Sequence, residues 1–167
     1  MNRHIAIYPG SFDPFTNGHM DIVERGLEIF DTIIIAVAAN SNKESLFSVA
    51  ERVAILTQLT ADNPRVRVET FSGLLVDYVV AKKARVILRG LRAVTDFEFE
   101  FQLAQMNHTV CQQVETLFMM TSPKFAYLSS SIVKEVGRLG GDITKFVPPL
   151  VKKELIMKFA KADRELK

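Results

Sequence analysis

Residues 5–30 read IAIYPGSFDPFTNGHMDIVERGLEIF, and the way this stretch divides decides the fold. Ile5–Tyr8 is an apolar run of strand length. Met20, Val23, Leu27 and Phe30 recur at three- and four-residue steps, which is one face of a helix. The ten residues between them, GSFDPFTNGH (10–19), hold two glycines, a proline and four short polar side chains. A plain strand-to-helix connection needs only a few residues. The long loop, ending on a histidine where a helix starts, therefore asks for a reason beyond connectivity.

The rest of the chain repeats this alternation. TIIIAVAA (Thr32–Ala39) is continuous and β-branched, as expected of a strand buried on both faces. SVAE (Ser48–Glu51) is a capping-box pattern before Val49, Val53, Leu56 and Leu59. VRVETF (Val66–Phe71) alternates as a strand does, and LLVDYVVAKK (Leu74–Lys83) reads as a short helix. VILR (Val86–Arg89) is a fourth strand. TDFE (Thr95–Glu98) repeats the capping-box pattern and opens a helix to about His108. ETLFMMT (Glu115–Thr121) is the fifth strand, and helices are expected from about Ser130 and from Pro148–Pro149. Strand and helix in strict alternation predict an α/β fold: a single Rossmann-like, doubly wound domain over residues 1–167. Its sheet is five-stranded and mainly parallel, with helices on both faces.

Bulk properties narrow the function classes. The 167 residues are 48% hydrophobic and 24% charged, with a formal net charge of +2. That balance gives no footprint for nucleic acid. No apolar run approaches the ~18 residues of a membrane span, and the N-terminus lacks a signal-peptide pattern. Cys111, the one cysteine, has no partner for an internal disulfide. A cytoplasmic protein that binds neither nucleic acid nor membrane is expected.

In an open parallel sheet, ligands bind beyond the carboxyl ends of the strands. Those ends carry PGSFDPFTNGH, NSNK, SGLL, RGLR and SPKFAYLSSS. In the first, Gly10 and Ser11 suit close approach of a phosphate, and Thr16 or Asn17 can cap the following helix. His19 then falls in the first helical turn, where an anion is favoured and a ring N–H can donate to a phosphate oxygen. The same residues would also build a simple turn with a solvated histidine. RGLR brings Arg89 and Arg92 to one strand end, either as phosphate forks or paired with the acids of DFEFE. Lys43, from spacing alone, reads as solvated. SSSIVK (Ser129–Lys134) is a second candidate anion-binding helix start, or a run of caps. Glu98 and Glu100, two apart, point to different faces, so at most one meets the site. Phe97, Phe99 and Phe101 are expected in the core. No metal-ligand spacing, Walker lysine, GxGxxG or nucleophile elbow is present. Such a site donates hydrogen bonds and charge but offers no base, which suits phosphoryl or nucleotidyl transfer.

YPGSFDPFTNGH, RGLRAVTDFEFE, QLAQMN and YLSSSIVKE closely resemble the bacterial phosphopantetheine adenylyltransferase family. The likeness runs from Ile5 to about Pro149. TNGH alone is the T-x-G-H form of a nucleotidyltransferase signature, and RGLRAVTDFEFE narrows it to the family. The resemblance implies transfer of the adenylyl group of ATP to 4′-phosphopantetheine with Mg²⁺, giving pyrophosphate and dephospho-coenzyme A. It implies that His19 contacts the phosphates and is catalytic. Ser11, where the family usually has threonine, would touch both substrates. Lys43 and Arg89, with Leu75 nearby, would hold the pantetheine phosphate. Gly90, Leu91, Arg92 and Glu100 would bind ATP together with Phe12 of the first loop. Phe125, Ala126, Tyr127, Leu128, Ser129, Ser130 and Ser131 would border the adenosine and phosphates. A homohexamer with feedback inhibition by coenzyme A is also implied. The rival readings are another adenylyl- or cytidylyltransferase, a non-catalytic ATP-binding module and an RNA-binding protein.

Overall fold

The computed structural model describes residues 4–39 and 45–165, the side chains of Thr95 and of residues 162–165 excepted. Its five strands are β1 (Ile5–Gly10), β2 (Thr32–Ala38), β3 (Val66–Phe71), β4 (Val86–Leu91) and β5 (Glu115–Met120). They form one sheet in the order β3-β2-β1-β4-β5, and every pairing is parallel. The chain winds outward from β1 to β3, then returns to the other side of β1 for β4 and β5. The order therefore reverses between β1 and β4, the place where a doubly wound sheet opens a crevice. The mainly parallel sheet expected from the sequence is present.

Alternate residues of each strand face opposite layers. Ala6, Tyr8, Ile33, Ile35, Val37 and Leu88 join one buried cluster. On that face lie α1 (Asn17–Gly26), α2 (Val49–Leu59), α5 (Ser130–Arg138) and α6 (Pro149–Glu165), which contribute Ile22, Leu56, Val133 and Leu155. Ile7, Ile34, Ala36 and Ile87 face the second cluster with Val76 and Val79 of α3 (Leu75–Ala81). The remaining α-helix, α4 (Val94–Val110), packs on β4, β5 and α3. Isoleucines 33, 34 and 35 are all buried, as a strand covered on both faces requires.

Four expectations need correction. First, β4 continues past Arg89 through Leu91, so Gly90 and Leu91 are strand residues rather than a loop. Second, α1 ends at Gly26, not Phe30; Leu27 and Phe30 remain buried in the turn that follows. Third, TDFE does not form a capping box. The N-cap of α4 is Ala93, without a side-chain cap, and Asp96 is engaged by Arg92. Ser48 and Glu51, by contrast, form the reciprocal box expected. Fourth, Phe97, Phe99 and Phe101 are not core. They are 42, 62 and 45% exposed, because residues two apart on a helix are separated by about 200° and cannot all face the sheet.

Candidate functional site

The crevice is a cavity of about 410 Å³ walled by the carboxyl ends of β1 and β4, the loop after β1, and the starts of α1, α4 and α5. It gathers Ser11, Phe12, His19, Arg89, Gly90, Arg92, Glu100, Leu128, Ser129, Ser130 and Ser131.

His19 is fixed by the first turn of its own helix. Thr16 caps α1: its Oγ1 accepts the His19 backbone N–H at 3.3 Å. In return the Thr16 backbone N–H donates to Nδ1 of the His19 ring at 3.0 Å. A backbone amide can only donate, so Nδ1 is the unprotonated nitrogen and the ring proton sits on Nε2. Three aromatic rings flank the imidazole: Phe12 and Phe15 with centroids at 5.3 Å and Tyr8 at 6.4 Å. Burial, reinforced by the positive charges of Arg92 and Arg89, lowers its pKa from 6.5 to about 4. At neutral pH His19 is therefore an uncharged donor. Of the two possible caps, Thr16 serves; Asn17 instead donates from its side chain to the Lys145 carbonyl at 3.0 Å.

Both arginines are held before any ligand arrives. Arg89 donates from Nε to Glu100 at 2.6 Å, forms a second bond to the same carboxylate, and donates to the Pro9 carbonyl at 2.8 Å. Arg92 donates to Asp96 from Nε at 3.0 Å and from its terminal nitrogen at 3.2 Å, and to the Leu128 carbonyl at 2.9 Å. Of the two arrangements open for RGLR, the pairing with DFEFE acids is thus realised, yet within the cavity wall. Glu100 is the acid that reaches the site; Glu98 is exposed and does not line it. At the start of α5, Ser129 caps by accepting the Ile132 N–H at 3.1 Å. The remaining first-turn amides of that helix have no intrahelical acceptor.

Several expected residues do not themselves line the cavity. Leu75 opens α3 and packs with the second core cluster. Leu91 is buried, and its carbonyl accepts from Thr121. Phe125 belongs to a short 3-10 turn (Pro123–Phe125), and Ala126 caps it. Tyr127 packs edge-on against Phe146. Lys43 lies outside the described residues. The cavity also includes Tyr8, Asp96, Phe99 and Thr121, which sequence reasoning passed over. Tyr8 and Phe99 looked like plain core residues. Asp96 was hidden inside an apparent capping box, although its spacing of four from Arg92 was a usable signal. No group of three or more candidate metal ligands occurs among the described residues.

The cytidylyltransferase-like family model matches residues 7–136. A phosphopantetheine adenylyltransferase of Geobacter metallireducens is 63% identical over 161 residues, covering 96% of this chain and 99% of the relative. One from Syntrophotalea carbinolica is 62% identical over 98% of this chain and 99% of its own. One from Caldanaerobacter subterraneus is 51% identical over 95% and 99%. Among solved structures, a candidate nicotinate-nucleotide adenylyltransferase from Vibrio parahaemolyticus superposes with a TM-score of 0.65. It covers 92% of this chain and 99% of its own at 18% identity, a likeness of fold alone.

Proposed function

Because the chain belongs to the cytidylyltransferase-like family and, within it, to the phosphopantetheine adenylyltransferases, we propose that it transfers the adenylyl group of ATP to 4′-phosphopantetheine. An oxygen of the phosphomonoester forms a bond to the α-phosphorus of ATP. The bond from that phosphorus to the bridging oxygen of the β-phosphate breaks, and pyrophosphate leaves with dephospho-coenzyme A as the other product. The attacking oxygen is already ionised, so no protein base is needed. The observation that carries this reading chemically is His19: a neutral ring at neutral pH, its proton placed on Nε2 by the Thr16 amide. A donor of that kind stabilises charge building on the α-phosphate oxygens without giving up its proton.

The remaining roles follow the family likeness. Arg89 and Lys43 receive the phosphate of phosphopantetheine, with Leu75 nearby. Gly90, Leu91, Arg92, Glu100 and the segment Phe125–Ser131 receive ATP, Arg92 and the α5 amides facing its phosphates. Phe12 borders the nucleotide, and Ser11 touches both substrates. Magnesium enters with the triphosphate. Among the described residues, the carboxylates of the cavity are Asp96 and Glu100, both engaged by arginines. A Mg²⁺ ion bound chiefly by phosphate oxygens and water suits that donor set.

Assembly as a homohexamer accords with the exposed Phe97, Phe101, Met106 and Val110 on α4. Sedimentation as a monomer at micromolar concentration would refute it. Coenzyme A contains the product, so it competes for the same cavity, and its inhibition should weaken when Arg89 or Lys43 is neutralised. The cytoplasm is the expected compartment. Among the described residues, no helix is long and apolar enough to cross a membrane. The deciding assay mixes the protein with Mg²⁺-ATP and 4′-phosphopantetheine and follows pyrophosphate, with CTP replacing ATP as the control. Folded protein that releases none above background would refute the reading.

A further inference from the structure

Beneath the cavity lies a charged cluster that does not line it. Asp13, 5% exposed, sits in the loop after β1. Its Oδ1 accepts the Phe47 N–H at 2.8 Å, and its Oδ2 accepts the Leu46 N–H at 2.9 Å. The same Oδ2 accepts from Lys134 Nζ of α5 at 2.7 Å. Arg52 of α2 is 3% exposed. It donates to the Ser11 carbonyl at 2.6 Å and to the Phe47 carbonyl at 3.1 Å. Ser130 at the head of α5 donates to the Pro14 carbonyl at 2.7 Å. One aspartate and two cations thus join three segments far apart in sequence. They are the loop carrying Ser11 and His19, the stretch Leu46–Ser48 that follows β2, and α5 with its serine-rich start.

We propose that Asp13, Lys134 and Arg52 are positioning residues that set the two substrate sides of the cavity in register. Ser11 rides on the loop that Asp13 and Arg52 hold, and that loop leads directly into the first turn of α1 and His19. The adenosine-side serines 129–131 ride on the helix that Lys134 ties to the same aspartate. In sequence, Leu46 and Phe47 closely follow Lys43, to which the proposed function assigns the acceptor phosphate. An in-line displacement is sensitive to alignment: a shift on the order of 1 Å in a reacting group costs ~10²-fold. A shared buried carboxylate passes any displacement of one segment to the other two.

The kinetic half of this inference rests on the adenylyl-transfer reading, whereas the structural half does not. The test is Lys134→Met, whose side chain is only 25% exposed and lies outside the cavity. Lys134→Arg serves as the conservative rescue, and Lys134→Gln replaces the Met variant if that one does not fold. We expect kcat/KM for both substrates to fall ~10–10²-fold, with Lys134→Arg recovering most of it. Backbone amide exchange provides the second readout. The Leu46 and Phe47 amides, which Lys134 does not touch, should exchange faster in Lys134→Met than in the parent protein. Catalytic constants within twofold of the parent, together with unchanged exchange at Leu46 and Phe47, would overturn the inference. If the parent itself released no pyrophosphate, the functional reading would fall, and exchange alone would decide the linkage. Acceleration confined to α5 would then refute it, while acceleration reaching Leu46 and Phe47 would support it.

Discussion

Replacing His19 by alanine separates a catalytic donor from a helix-start residue. The structure gives the magnitude of each contribution. His19 presents one uncharged N–H to the cavity, since its other ring nitrogen accepts from Thr16. Loss of one preorganised donor to a developing phosphate charge typically lowers kcat ~10²–10³-fold, or ~3–4 kcal/mol in the barrier. The donor acts mainly on the transition state, so kcat and kcat/KM should fall together while KM for ATP changes little. The structural cost is smaller. The variant leaves the Thr16 amide without its ring acceptor, but Thr16 Oγ1 still caps the helix, so about 1 kcal/mol is expected. For a chain of this size that amounts to about 2–4 °C in Tm. His19→Asn keeps an N–H donor and an acceptor for Thr16, and should recover part of both losses. Steady-state pyrophosphate release and thermal unfolding, measured on the same preparation, distinguish the two contributions. A His19→Ala protein that unfolds a few degrees lower but keeps the parent kcat would reduce TNGH to a turn.

The same ring predicts a pH dependence of stability. Its pKa falls from 6.5 unfolded to about 4 folded, so between those values the unfolded chain binds the extra proton. Stability should then rise from about pH 4 to 6.5, by at most about 3 kcal/mol from this group. Urea unfolding of His19→Ala should lose that increment, and an identical pH slope in both proteins would contradict the assigned burial. Gly26→Ala should destabilise by ~1–3 kcal/mol, because a Cβ there would stand 2.6 Å from Ile33 and 3.0 Å from Leu88. Denaturant titration of the folded variant checks it. Asp21→Ala should cost ~1–3 kcal/mol, because its carboxylate accepts the Ser122 N–H at 2.9 Å and hydroxyl at 2.5 Å. Its effect should appear as faster amide exchange after β5.

How much of this was legible in the sequence varies by element. Buried strands announce themselves, since only β-branched continuity fits a surface covered on both faces; Thr32–Ala38 needed no other cue. SVAE and TDFE are equal as patterns, yet only the first caps a helix. The difference is where the helix starts: α4 begins at Val94 with Ala93 as its N-cap, so Thr95 already lies inside the first turn and cannot cap it, while Asp96 is drawn to Arg92. Phenylalanines 97, 99 and 101 step by two, a strand-like period that wraps around a helix, so neither their face nor their exposure was readable. Residues with strong local chemistry at the strand ends and helix start, such as Ser11, His19 and the arginines, do line the cavity. Asp13, Arg52 and Lys134 were not legible in the sequence. The bonds by which they join distant segments span between 33 and 121 residues of sequence, and each side chain looks like an ordinary surface charge until the fold brings it inside.

The charges of the cavity form one device when taken together. Arg89 and Arg92 lower the pKa of His19, and without them burial alone would have to keep the ring neutral. Two guanidiniums in a half-closed crevice would in turn be costly without counter-charges, and a single unpaired one is strongly destabilising. Glu100 and Asp96 balance them, so among the described residues of the wall two arginines stand against two carboxylates. Under the proposed reaction the arriving phosphates bring the anionic oxygens that the carboxylates now supply. The arginines can exchange one set of oxygens for the other without becoming unpaired, and Glu100 or Asp96 is then released toward other donors on the substrates. Before substrates enter, burial and the two arginines together disfavour protonation of His19. A lysine in its place would be a charged rival for the same oxygens already in the ground state. A neutral imidazole whose lone pair is occupied by the Thr16 amide can strengthen its hydrogen bond only as phosphate charge grows, which is where stabilisation accelerates the reaction.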